Sequence, residues 1–177
     1  MDKTEELRLI RKAVRGNPDA YGRLIVLYQE YLYKIAFLYM KNEQDALDLV
    51  GSTLLKGFQN IRTLKKPEWF KTWLTRILIN TAKDELKKII HYDEIDENTL
   101  SRRYQTVTPE EQMDLNSAIE RLPEKYRMVI VLKYFSDLSV HEMSYIMNAP
   151  EGTVKAYLSR ARDELKKTLK EDYFYAG

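Results

Sequence analysis

The 177-residue sequence is 44% hydrophobic and 32% charged, with six Gly, five Pro and no Cys. The missing Cys exclude disulfides, thiol catalysis and Cys-ligated zinc, and so few Gly and Pro favour long helices with short breaks over many-turned β structure. The N-terminal stretch MDKTEELRLIRKAVRG has no apolar core of signal-peptide type, and the most apolar segment, YLYKIAFLYM, is interrupted by Lys34 and too short to span a bilayer, so a soluble, cytoplasmic chain is expected. The net charge of +2 hides an uneven distribution: residues 1–89 carry 17 Lys/Arg against 11 Asp/Glu, and residues 150–170 carry 6 against 3.

The first predicted helix is Lys3–Arg15, ended by Gly16-Asn17-Pro18. Pro18 suits the first turn of the next, Asp19–Met40, where Leu24, Leu27, Tyr28, Tyr31, Ile35 and Leu38 recur at three- and four-residue steps. Asn42 reads as an N-cap with Asp45 in the first turn, and the helix that follows carries Leu47, Val50, Leu54 and Phe58 on one face. Asn60–Glu68 breaks the pattern with three basic residues and Pro67. A fourth helix is expected from near Pro67 to about Ile89, with Trp73, Ile77, Asn80 and Asp84 along one stripe.

Residues 90–108 have no steady period, hold four acidic residues and read as a linker. Thr108-Pro109-Glu110-Glu111 is a helix start by cap, proline and first-turn acids. That helix is expected to end at Leu122, and Pro123 opens another. Ser139 caps a short helix to Met147, Asn148-Ala149-Pro150 forms a turn, and a long helix runs from about Glu151 to Glu171. The predicted architecture is all-α: two small helical domains, residues 1–89 and 109–177, joined by a flexible linker.

A short helix, a tight turn and a longer basic helix make a helix-turn-helix pattern. Val154, Leu158, Ala161, Leu165 and Leu169 fall on one side of the last helix and should pack on Val140, Met143 and Ile146. The other side carries Lys155, Ala156, Ser159, Arg160 and Lys167. Lys and Arg pair with phosphates and donate to guanine acceptors, while a small residue lets the helix approach base edges. Thr153 and first-turn N–H groups suit a phosphate, and Gly152 lets the backbone come close. A solvated face would show the same charge with no such mixture of small and basic groups.

These segments resemble one family. LPEKYRMVIVLKYFSDLSVHEMSYIMNAPEGTVKAYLSRARDELKKTL is similar to the C-terminal domain of extracytoplasmic-function sigma factors, members of the sigma-70 superfamily, with Leu122-Pro123, Arg127, Asp137-Leu138-Ser139, Glu142, Gly152-Thr153-Val154-Lys155 and Arg160-Ala161-Arg162 in the family pattern. DALDLVGSTLLKGFQNI and WFKTWLTRILINTAKDELKK resemble its N-terminal segments, through Thr72, Trp73, Leu74, Arg76, Ile77, Asn80 and Asp84. The resemblance implies a transcription initiation factor, not an enzyme, that binds core RNA polymerase and directs it to promoters. It implies minus-35 contacts from Gly152, Thr153, Lys155, Ala156, Ser159, Arg160 and Arg162. For the minus-10 element it implies Arg62, Lys65, Lys66, Trp69, Thr72, Arg76, Asn80 and Lys83. Polymerase contacts fall to Asp45, Asp48, Leu49, Ser52 and Leu55. Where the family usually has Gln and an acid, this chain has Gly51 and Ser52, which leaves the polymerase contact to their neighbours. The family further implies an anti-sigma partner, often membrane-bound, and no cofactor or metal. Trp73 is expected in the core, the choice between core and contact is left open for Trp69, and Asn80 is read either as a buried helix-stabilising residue or as a base contact.

Two other classes are weighed. A stand-alone helix-turn-helix regulator would bind duplex DNA without polymerase, as a dimer on paired half-sites. An enzyme would have to work with His91 and His141 as its only histidines and without a phosphate-cradling Gly loop.

Overall fold

The computed structural model describes residues 2–93 and 115–175. Their regular structure is helical throughout. In chain order the α-helices are α1 (Lys3–Val14), α2 (Pro18–Met40), α3 (Glu43–Asn60), α4 (Phe70–Asp93), α5 (Leu115–Arg121), α6 (Glu124–Ile130), α7 (Val140–Met147) and α8 (Glu151–Tyr175). Two short 3₁₀ turns, Ile61–Thr63 and Pro67–Trp69, lie between α3 and α4. The expected helix start at residues 108–111 and most of the expected linker fall outside the described residues; residues 90–93 continue α4.

The helix ends follow local chemistry. Gly16 takes φ +93°, where a side chain would be strained, and ends α1. Asn17 caps α2 by accepting from the Ala20 N–H at 2.8 Å, with Pro18 in the first turn. Asn42 caps α3 by accepting from the Asp45 N–H at 3.0 Å.

The apolar stripe read on α3 packs inward only in part, with Val50 buried and Leu54 half-buried against the core. Ala46, Leu49, Val50, Thr53 and Gly57 are buried, and Leu47 and Phe58 are about half exposed. The small residues decide this. Gly57 faces α2 so closely that a Cβ there would lie 2.4 Å from the Tyr21 hydroxyl and 3.0 Å from Leu74 Cδ1. The same Tyr21 hydroxyl donates to the Leu54 carbonyl at 2.8 Å, and burial pushes its pKa up to about 12. Small residues let the helix axes approach closely and pack at high density on this face.

Two glycines of this helix should therefore respond in opposite directions. Gly57→Ala is expected to destabilise the chain by about 1–3 kcal/mol through overpacking and loss of the Tyr21 hydrogen bond. Gly51→Ala, with nothing within 4 Å of the added Cβ, should stabilise by roughly 0.5–1 kcal/mol through helix propensity alone. Urea unfolding midpoints of the two variants check the pair, and a shift of the same sign in both would contradict it.

The second half builds on α8, which packs across α6 and α7. Helix α6 passes into a π-helical turn, Val131–Phe135, that periodicity did not reveal. This turn leads to buried Ser136 and to Asp137 in the left-handed region at φ +53°. The two halves share one apolar core that runs from Leu9 to Ala161. They meet where α4 crosses α7 and where α2 reaches the π turn and α5. At the second seam the Tyr39 hydroxyl donates to the Glu124 carboxylate and the Lys41 ammonium to the Glu120 carbonyl. Burial and the Glu124 carboxylate hold the Tyr39 pKa well above its ordinary value. Arg127 donates to the Tyr39 carbonyl at 3.3 Å and to the Leu122 carbonyl at 3.2 Å, so this motif residue ties the start of the second half to α2.

Candidate nucleic-acid interface

The helix-turn-helix is set by its caps. Ser139 opens α7 with a reciprocal capping box: its Oγ accepts from the Glu142 N–H at 3.2 Å, and the Glu142 carboxylate accepts from the Ser139 N–H at 2.9 Å. Asn148 ends α7 in the left-handed conformation at φ +52°. Ser144 donates to the Ala149 carbonyl at 2.6 Å, which holds the turn that starts α8. Val154, Leu158 and Ala161 are buried against Met143 and Ile146, as the spacing predicts. Ser139→Ala should destabilise the helix-turn-helix by about 1 kcal/mol; thermal unfolding followed by circular dichroism reads it, and an unchanged midpoint would contradict the cap assignment.

The outer face of α8 is open. Gly152, Lys155, Ala156, Ser159, Arg160 and Arg162 are exposed and Thr153 is half-buried. Nothing lies within 4 Å of where a Gly152 Cβ would be, so a ligand backbone can approach closely there. Arg162 is held to one side, its Nε donating to the Tyr134 hydroxyl at 2.9 Å. Lys167 lies a turn further on and donates to Glu164 at 3.1 Å.

The residues expected at the minus-10 element divide. Lys65, Lys66 and half-buried Trp69 line a cleft of about 470 Å³ with Thr63, Leu64 and Trp73. Lys66 Nζ lies 5.8 Å from the Trp69 ring centre. Arg76 and exposed Asn80 line an adjoining cleft of about 320 Å³, together with Lys56, Asn60 and Asp84. Trp73 is buried between the two, in the core role expected of it. Arg62 is exposed and turned toward the α1–α2 corner, where its Nη2 would lie 2.7 Å from a Cβ on Gly16. Lys83 is half-buried and lines neither cleft.

Thr72, expected among the minus-10 residues, is turned away from solvent. It is 2% exposed, and its hydroxyl donates to the Glu142 carboxylate at 2.7 Å. Burial raises the Glu142 pKa, but the hydrogen bonds from the Ser139 N–H and from the Thr72 and Ser139 hydroxyls, with the Lys71 charge, outweigh it and lower the pKa overall. A carboxylate lowered in the folded state contributes stability above its unfolded value and loses it as pH falls through the lower folded value. Acidification below the ordinary 4.5 therefore weakens this contact.

On α3, Asp48 and Leu55 are exposed and Asp45 and Ser52 half-buried, where a partner can reach them. Leu49 is fully buried and belongs to the core. It lies on the small-residue face that packs inward, a choice the heptad-like spacing of large apolar residues conceals. Leu47 and Phe58 take its place outside, flanking Leu55 on an exposed apolar ridge. His141 and Tyr145 were likewise invisible as site residues, because the packing of α7 on α4 brings together positions some seventy residues apart.

Among the described residues no helix is long and apolar enough to cross a membrane, and no group of three or more acidic or His side chains is placed to hold a metal ion.

A helix-turn-helix with a basic outer face, joined to a helical unit that carries aromatic and basic residues beside a cleft, has the features of a nucleic-acid-binding protein. Comparison with known proteins narrows the class. Residues 24–89 match the family model for sigma-70 region 2, and residues 112–165 match that for sigma-70 region 4. The chain is 34% identical to the RNA polymerase sigma factor SigV of Bacillus subtilis over 82% of its own length and 89% of that protein's. It is 29% identical to the ECF RNA polymerase sigma factor SigW of the same organism, over 92% and 95% of the two chains. In fold it is similar to CnrH, solved with the cytosolic domain of CnrY, at a TM-score of 0.71 and 24% identity over 94% of this chain and 98% of that one. It is also similar in fold to the sigma factor RpoE of Bartonella quintana, solved with the anti-sigma factor NepR, at a TM-score of 0.72 and 23% identity over 85% and 96%. The chain belongs to the extracytoplasmic-function sigma factors of the sigma-70 family. Its function is that of a transcription initiation factor that directs RNA polymerase to promoters.

Proposed function

We propose that the chain reads a promoter in two parts while bound to core RNA polymerase in the cytoplasm. The outer face of α8 takes the minus-35 element as duplex: Lys155, Ala156, Ser159 and Arg160 meet base edges, and Gly152, Thr153 and Arg162 meet the backbone. The Lys65–Trp69 segment, with Arg76 and Asn80, takes the minus-10 element as unpaired strand, where aromatic stacking and phosphate pairing hold bases out of the duplex. The single observation that carries this reading is the open outer face of α8, in which small and basic residues alternate and Gly152 leaves room for close approach. Asp48, Leu55 and Ser52, extended by Leu47 and Phe58, serve as the polymerase-contacting ridge. The boundaries 1–89, 90–108 and 109–177 are the working domain division for this two-part reading. An anti-sigma factor is the expected negative regulator; the RpoE of similar fold was solved with the anti-sigma factor NepR.

Run-off transcription with core polymerase tests the whole reading. Promoter-dependent transcripts should require the added chain. Tight duplex binding by the chain alone at moderate salt, with no stimulation of polymerase, would overturn it in favour of a stand-alone regulator.

A further inference from the structure

Arg8, Arg11, Lys12 and Arg15 follow one another at three- and four-residue steps, so they share the outer face of α1 and its C-cap. All four are exposed, and with Thr4 they line an open groove of about 330 Å³. Leu9, Ile10 and Ala13 fill the inner face. The acids of the helix are engaged elsewhere: Glu5 pairs with Arg23 at 3.4 Å and Glu6 accepts from the Tyr28 hydroxyl, both on α2. Among the described residues none of the four cations has a carboxylate partner. Like charges at these steps repel. The helix macrodipole favours cations near the C-terminal end, which covers Arg11, Lys12 and Arg15 but gives Arg8 no counterpart. The row also continues past the helix. Arg62 reaches it from the first 3₁₀ turn, its Nη2 standing 2.7 Å from where a Gly16 Cβ would be. Helix α1 packs on both of the turns that flank Lys65 and Lys66.

We propose that the outer face of α1 binds the phosphate backbone of the DNA that flanks the minus-10 element, without regard to sequence. The proposal rests on the two-part promoter reading above: a strand gripped at Lys65–Trp69 continues beyond that segment, and Arg62 leads its backbone onto the α1 row. Three of the four cations are arginines, whose planar forks pair with phosphate oxygens. The groove lining has no aromatic ring to stack a base, so the face has the means to hold a backbone and none to read an unpaired base. At a rise of 1.5 Å per residue, the row from Arg8 to Arg15 is about 10 Å long. That matches about three phosphates of one strand at duplex spacing. The labour is thereby divided: α8 and the Trp69 cleft choose the sequence, and α1 adds affinity that salt removes.

The test uses holoenzyme carrying the triple variant Arg8→Gln, Arg11→Gln, Arg15→Gln. Gln is a good helix former and the three sites are exposed, so the melting midpoint should stay near that of the parent. Fluorescence anisotropy follows binding to a forked fragment of a promoter that the parent holoenzyme transcribes, over a range of salt. The variant should bind about tenfold more weakly at moderate salt, and its slope of log affinity against log salt should be shallower by roughly 2. Its base preference in a promoter library should be unchanged. Methylphosphonates, which remove the phosphate charge, should weaken the parent when placed beside the minus-10 element and leave the variant indifferent. Equal slopes for parent and variant would overturn the proposal. So would equal sensitivity of the two to every neutralised fragment, or a loss of core polymerase binding by the variant in a pull-down at unchanged slope, which would assign the face to a protein partner. A parent holoenzyme that binds the promoter no better than a scrambled fragment would instead remove the two-part reading, and the phosphate role with it.

Discussion

Replacing Leu49 by Ala is expected to destabilise the chain by about 2–5 kcal/mol, the range for deleting a fully buried leucine side chain. Leu49 has no exposed surface and lies on the small-residue face of α3 with Ala46, Thr53 and Gly57. The packed core around a deleted leucine relaxes only in part, so a cavity term adds to the lost burial. The contrast is with Leu55, one and a half turns along and 59% exposed. Leu55→Ala should leave stability within about 0.5 kcal/mol of the parent and weaken core polymerase binding instead. Urea unfolding and a polymerase pull-down on both variants separate the two roles. Loss of polymerase binding by Leu49→Ala at unchanged stability would return Leu49 to the contact surface.

Arg160→Ala is expected to lower transcription from a chosen promoter by about 5- to 150-fold, the equivalent of 1–3 kcal/mol for a side chain paired with a base edge, and to relax sequence choice at one minus-35 position. Arg160 is exposed on the open face of α8, one turn beyond Ala156 and about two and a half turns from the helix start, within reach of base edges when the helix lies in a major groove. Lys167→Ala should change little. Lys167 is exposed nearly two turns further on and donates to Glu164 at 3.1 Å, an exposed pair of small worth. Promoter-library transcription followed by sequencing gives both rate and sequence choice. Equal loss from the two variants, with no change in preference, would mean that α8 meets phosphates alone.

The helices themselves were legible before any coordinates, because each has a local physical signal. Asn17 and Pro18, Asn42, Ser139 and the Asn148-Ala149-Pro150 turn mark ends by hydrogen-bond chemistry that acts within four residues. The buried stripe of α8 was equally plain, since a long helix with one apolar side has few ways to pack. The π turn at Val131–Phe135 was not legible, because inserting one residue per turn leaves the composition unchanged.

What the order of residues settles here is local: helix limits, the helix-turn-helix, its small-and-basic outer face, and through matching motifs the family. Which side of α3 turns inward was settled by the tertiary fold, because small residues weigh little in a hydrophobic pattern yet allow the closest approach between helices. That choice moved Leu49 into the core and Leu47 and Phe58 onto the surface. The surroundings of the face proposed for the minus-10 element were settled in the same way. Thr72 and Glu142 are 70 positions apart, and a hydrogen bond at that separation leaves no periodic trace; only the docking of α7 on α4 brings the two together.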